Sequence, residues 1–187
     1  MTDTRAVSER YRTLAGSFAE RIDSVPADRW SAPSPCDGWS ARDVVRHVVD
    51  TQGMFLGFVG RSLPEGMPSV DDDPTGAFAA ARGQVQAGLD DPEVAGAEYQ
   101  GAFGTSSFAK GVDGFLCFDL NVHGWDLAKA AGLEARIDPA ELPRLRADAE
   151  GFGDMMRSPG AFGPEVDAPA GADEQARLLA FLGRQQD

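Results

Sequence analysis

The sequence predicts an all-α protein: a four-helix bundle with an additional short C-terminal helix. Three observations lead there. Large apolar residues recur three or four positions apart over several long stretches, which places them on one stripe of a helix. No stretch alternates apolar and polar residues for long enough to build a sheet. Prolines and glycines gather between the periodic stretches, where they break helices and make turns.

Val7, Tyr11, Leu14, Phe18, Ile22 and Val25 predict a first helix from about Thr4 to Ser24. Residues 26–39, with Pro33, Pro35 and Asp37-Gly38, read as an ordered loop. Ser40-Ala41-Arg42-Asp43 has the form of a capping box, in which each end side chain satisfies a free backbone N–H, so a second helix starts there. Its stripe of Val44, Val48, Phe55 and Phe58 runs toward Arg61, and Pro64, Pro68 and Asp71-Asp72-Asp73-Pro74 stop it. A third helix spans about Thr75 to Leu89, where small residues outnumber large apolar ones. Residues 90–105 read as loop with a short extended piece at Glu98 to Phe103. Val112, Phe115, Leu116, Leu120, Leu127 and Ala130 then mark a long apolar helix that Gly132 caps. A fifth segment begins near Pro143 and reaches about Met156. After a Pro/Gly-rich link, Asp173 to Arg184 forms a last short helix with Leu178, Leu179 and Leu182 inward. One domain is expected over 1–187, its bundle over about 4–157 and the link and short helix over 158–187. The long crossings at 26–39 and 63–74 free the bundle from a simple up-down-up-down order.

Composition narrows the function. Seventeen Lys and Arg stand against 30 Asp and Glu, a net charge of −13, and no stretch concentrates the bases, so nucleic acid is not an expected partner. No apolar run approaches the length of a membrane span, and Met1-Thr2-Asp3-Thr4-Arg5 lacks the apolar segment of a signal peptide. A cytoplasmic protein acting on a small molecule is expected, with a homodimer left open as an assembly. Cys36 and Cys117 are the only cysteines, in no CxxC pattern, and read as ordinary thiols.

Two histidines, His47 and His123, both fall in predicted helices among apolar neighbours. His47 shares a face with Val44, Thr51, Met54 and Phe58, which turns its imidazole inward. His123 lies one i,i+4 step from Asp119, so both project from one face, together with Phe115, Leu116 and Leu127. A carboxylate on an apolar stripe costs about 3 to 5 kcal/mol when it has no partner. A hydrogen bond to the His123 imidazolium answers that need. So does a divalent cation shared by two imidazoles and one carboxylate, as in three-ligand zinc sites or the facial sites that bind iron or nickel.

The stretch Trp30-Ser31-Ala32-Pro33-Ser34-Pro35-Cys36-Asp37-Gly38-Trp39-Ser40-Ala41-Arg42-Asp43-Val44-Val45-Arg46-His47 resembles the W-x-x-P-T-P-C-x-G-W-T-V-R-D-L-x-x-H pattern of the mycothiol-dependent maleylpyruvate isomerase N-terminal domain group, within the DinB/YfiT-like superfamily. Asp119-Leu120-Asn121-Val122-His123-Gly124-Trp125-Asp126-Leu127-Ala128-Lys129-Ala130-Ala131-Gly132 is similar to that group's D-x-x-x-H-x-W-D-L-A-x-A-x-G signature. The end, Gln175 to Arg184, looks like the closing helix of a short, single-domain subgroup of metal-binding proteins. The resemblance implies a DinB bundle whose divalent metal sits near one end, held by His47, Asp119 and His123. Zinc heads the candidate metals, with nickel or iron next, and mycothiol is the implied thiol cosubstrate. Two departures stand out. The isomerase uses Glu where this chain has Asp119, one methylene shorter, and it carries a further C-terminal domain that helps form its substrate site, whereas this sequence stops at Asp187. Its substrate therefore does not carry over.

Other residues have plainer expectations. Asp43 is explained by its cap. Asp126, three residues after His123, either orients an imidazole or is a solvated helix charge. Trp39 and Trp125 are expected at the rim of the site, and Cys36 needs only a small half-buried side chain in its turn. The Asp71 to Asp73 run lacks the spaced ligands and glycine of a calcium loop. Two functions follow: a metal-dependent thiol S-transferase or isomerase acting on a small electrophile, or a non-catalytic module that binds metal and a small ligand.

Overall fold

The computed structural model describes residues 3–101, 104–157 and 162–185. The first helix, α1 (Thr4–Asp23), starts where the Asp3 side chain accepts the backbone N–H groups of Arg5 and Ala6. The second, α2 (Ala41–Phe58), opens on the predicted capping box, with Ser40 and Asp43 each accepting from the other's backbone. Asp73 caps α3 (Pro74–Asp90), which has its proline in the first turn. A short α4 (Pro92–Gly96) follows, then a hairpin of β1 (Glu98–Gly101) and β2 (Gly104–Ser107). The expected extended piece is thus one strand of a pair, and Phe103 lies outside the described residues.

The long apolar helix begins earlier than its pattern suggests. It is α5 (Phe108–Gly111), one π turn (Val112–Leu116) and α6 (Cys117–Ala131) in continuous succession. Gly132, at φ 73°, ends it in the left-handed conformation that a side chain disfavours. Next come α7 (Leu142–Phe152), prolonged by a 3-10 turn over Gly153–Arg157, and α8 (Glu174–Phe181).

Helix α1 packs on α3 and α6, and α2 packs on the same two. The consecutive helices α1 and α2 therefore occupy opposite corners, and the 26–39 segment is long because it crosses the end of the bundle. Tyr11, Phe18, Val44, Val48, Phe78 and Leu127 fill the space between the four. Every residue of α6 except Lys129 is buried, because the helix has neighbours on both sides. Its second face joins a separate cluster with α7 and α8, built on Phe118, Val122, Leu145, Leu178 and Leu179. At the other end of α2 the predicted stripe leaves the core: Met54 is 48% and Phe58 40% exposed, with Phe58 stacked on Tyr99 of the hairpin.

Candidate metal centre

Backbone geometry of the crossing segment aims Trp39 at the site. Ser34 N–H donates to the Trp39 carbonyl at 2.8 Å, Trp39 N–H to Cys36 at 3.0 Å and Ala41 N–H to Ala32 at 3.0 Å. Arg29 ties the segment to the end of α6 through the Ala130 carbonyl at 2.8 Å. The Trp39 ring consequently lies 4.9 Å from that of His47 and stacks 5.9 Å from that of His123.

Helices α2 and α6 bring the three expected residues together. His47 Nε2 lies 3.3 Å from Asp119 Oδ2, and His123 Nε2 lies 3.4 Å from Asp119 Oδ1. The imidazole centroids are 4.7 Å apart, and the three donor atoms all fall within 4.8 Å of one another. A cation about 2.0–2.2 Å from two tetrahedrally disposed donors keeps them about 3.4 Å apart, so the spacing suits one small divalent ion. The His47 side chain is 35% exposed while those of Asp119 and His123 are buried, so solvent reaches the trio from the α2 side.

Asp119 Oδ2 is fully buried and accepts no hydrogen bond: His47 Nε2 is near enough for attraction but not aligned to donate. Burial would push the Asp119 carboxyl up, yet the imidazoles of His123 and His47 beside it hold it well below the usual carboxylate range. A carboxylate that stays charged in the interior with one oxygen unsatisfied is the electrostatic demand that a cation meets.

The far side of His123 is equally ordered. His123 Nδ1 lies 2.9 Å from Asp126 Oδ2, and Asp126 has no exposed surface. An ionised carboxylate only accepts, so it takes the Nδ1–H and leaves Nε2 free to offer its lone pair to the α2 side. With nothing bound, burial opposes the imidazolium, but the charge of Asp119 and the hydrogen bonds to Asp119, Asp126 and Cys36 lift His123 well above its ordinary value. Burial also opposes the Asp126 carboxylate, and Arg184 with His123 overrides it and holds the group at about 2. Cys36 Sγ donates to Asp126 Oδ2 at 3.2 Å.

Cys36, His123 and Asp126 form a second set of donors close enough for a cation. That place is already filled. Arg184 donates from Nη2 to Asp126 Oδ2 at 2.9 Å and from Nε to Oδ1 at 3.3 Å, so a guanidinium supplies the positive charge.

The remaining expectations divide. Asp126 is the imidazole-orienting acceptor, not a solvated charge. Asp43 only caps α2 and pairs with Arg46, and the acidic run serves locally, with Asp71 on Arg46, Asp72 on Ser69 and Asp73 capping α3. Trp125 is not at the rim: it lies in the cluster with α7 and α8, because two helical steps from His123 turn it about 200° away. Thr51, with Oγ1 3.5 Å from His47 Nε2, and Arg184 are additions to the site. Thr51 was within reach of the i,i+4 rule, whereas nothing in the spacing of Arg184 signals it.

Residues 11–128 match the family model for the mycothiol maleylpyruvate isomerase N-terminal domain, a span that holds His47, Asp119, His123 and Asp126 but not Arg184. Two proteins of Mycobacterium tuberculosis, from different strains and both named as uncharacterized, are 30% identical over 178 residues, covering 93% of this chain and 95% of theirs. No solved structure matches. The chain therefore belongs to the mycothiol maleylpyruvate isomerase N-terminal domain family.

Proposed function

We propose that this chain holds one divalent cation through His47, Asp119 and His123 and acts on a low-molecular-weight thiol, transferring it to, or using it to isomerise, a small electrophile. Mycothiol is the thiol that family membership favours, and zinc is the metal that an N,N,O donor set favours first, ahead of nickel or iron. The observation that carries the reading is Asp119 Oδ2, buried and without a hydrogen bond between two imidazoles. A cation bound there would supply Lewis-acid charge that favours the anionic form of a thiol at neutral pH.

The chain's own groups do the rest. Asp126 fixes the ring of His123 and keeps Nε2 directed at the site. Trp39 covers the two imidazoles from the crossing segment and limits the access of water. Approach is from the α2 side, where His47 remains partly exposed. With both imidazoles engaged, no histidine is left for a serine-type triad, so activation by the cation outweighs acid–base catalysis by side chains. The acidic net charge favours a small-molecule partner over nucleic acid, and no helix among the described residues is long and apolar enough to cross a membrane. A cytoplasmic site of action belongs to the same reading.

Zinc-loaded protein incubated with mycothiol and a reactive aryl halide tests it by mass spectrometry. A thiol–aryl conjugate forming faster than in the protein-free control, and lost in His123→Ala, is expected. Absence of conjugate while zinc stays bound would leave the non-catalytic metal and small-ligand module in its place.

A further inference from the structure

We propose that Arg184, beyond the end of α8, is a positioning residue of the metal centre: by clamping Asp126 it fixes the imidazole of His123. The inference rests on the metal reading of His47, Asp119 and His123, and it adds a residue that lies outside the span matched to the family.

The argument begins with the cost of placing this side chain where it is. Arg184 is 6% exposed and Asp126 is fully buried. A guanidinium enters such surroundings only against a paired anion, and here the fork is bidentate, with Nη2 at 2.9 Å and Nε at 3.3 Å from the two oxygens of Asp126. The backbone is shaped to deliver it. Gly183 takes φ +79°, and a Cβ there would meet the Pro164 carbonyl oxygen at 2.8 Å, so the chain turns inward after α8 where only glycine fits. Arg184 Nη1 closes this turn on the Leu182 carbonyl at 2.9 Å, and its guanidinium lies 5.0 Å over the Phe162 ring.

Both oxygens of Asp126 are thereby committed. Oδ1 faces Arg184, while Oδ2 receives Arg184, Cys36 Sγ and His123 Nδ1. The carboxylate cannot rotate without breaking several bonds at once, and the imidazole it holds is fixed in turn. Partners of this kind, one step removed from a ligand, typically set metal affinity by about 10–100-fold. Removing a nearby positive charge would by itself favour a cation. The opposite is expected here, because without the two bonds from Arg184 the Asp126 carboxylate is free to swing, and the acceptor that fixes His123 Nδ1 is no longer held in place.

Cobalt(II) titration of the metal-free protein, read by visible absorption and by competition with a chelator, tests this. Arg184→Met and Arg184→Gln are expected to bind about 10–100-fold more weakly than wild type, with an altered cobalt spectrum. Arg184→Lys, which keeps the charge, is expected to recover most of the affinity. A purely structural tie between α8 and α6 would lower the melting temperature and leave the cobalt spectrum alone. Wild-type affinity and spectrum in Arg184→Gln overturn the proposal while leaving the metal reading intact, and should Arg184→Met not fold, Arg184→Gln decides alone. A wild-type protein that takes up no cobalt overturns both.

Discussion

Two clusters of charge, one half-buried and one largely buried, flank the same long helix, and they resolve the same problem differently. On the side of Asn121, Arg10 binds Glu141, at 2.5 Å through Nη2, and Asp113, at 2.8 Å through Nη1, while Arg144 pairs with Asp113 and Asn121 donates to Glu141. Two arginines there meet two carboxylates, with Asp148 as the surplus acid. On the side of Asp119, two residues and about 200° away around the helix, Asp119 and Asp126 face one arginine and two imidazoles. Each cluster contains one buried carboxylate oxygen without a hydrogen bond, Asp148 Oδ2 in the first and Asp119 Oδ2 in the second. Burial, with Asp113 and Glu141 nearby, pushes the Asp148 carboxyl up against the pull of Arg10 and Arg144. Asp119 moves the other way and keeps its charge. An unsatisfied buried oxygen is thus not a metal signal by itself. It becomes one where the carboxylate remains ionised and its neighbours are nitrogen donors.

The contrast can be broken from either side. The largest effect on folding belongs to Arg10→Ala, which leaves Glu141 with Asn121 and Asp113 with the half-exposed Arg144 as their remaining partners: a loss of about 1–3 kcal/mol by urea unfolding is expected, with metal content per folded chain unchanged. A fall in metal content would mean that the two clusters are coupled. Asp119→Asn should do the reverse, lowering metal affinity by about a hundredfold or more in a chelator competition while the protein stays folded. Unchanged affinity would reduce Asp119 to a hydrogen-bond partner of His123.

Acidity sharpens the comparison further. In the metal-free protein, burial works against the His123 imidazolium, but its carboxylate neighbours raise the folded value above the unfolded one of about 6.5. The stability this contributes is fully present below about pH 6.5 and is lost as pH climbs through the folded value. Metal binding runs in the opposite sense, because the cation competes with protons for the imidazoles. The difference in melting temperature between zinc-loaded and metal-free protein should therefore widen from pH 6 to pH 9, and a constant difference would argue against imidazole ligation. The smallest effect is expected of Asp148→Asn. It replaces a half-buried group whose Oδ2 accepts no hydrogen bond, so stability at pH 7 should shift by no more than about 0.5 kcal/mol.

What the sequence made readable, and what it did not, follows from the range of the physics involved. Helix periodicity is local, so α1, α2 and α6 were legible, and so were His47, Asp119 and His123, each placed by its own stripe or by the i,i+4 step. The first strand was expected as the extended piece at Glu98 to Phe103, but the second was hidden because Gly104-Thr105-Ser106-Ser107 has no apolar alternation to display. The π turn was hidden because one added residue hardly disturbs a spacing of three or four. Trp125 was assigned to the rim from its place beside His123 in the sequence, although two helical steps direct it to the α7 and α8 cluster. Arg184 could not be read at all, since its role depends on Gly183 turning the chain and on Asp126 waiting 58 positions earlier.

The central claim is that His47, Asp119 and His123 grip one cation together. Elemental analysis of the purified protein after equilibration with excess zinc and gel filtration, beside His47→Ala and His123→Ala treated identically, tests it most directly. One equivalent of zinc per chain in the wild type and close to none in either variant is the expected result. Equal zinc in all three proteins, or none in any, would contradict it.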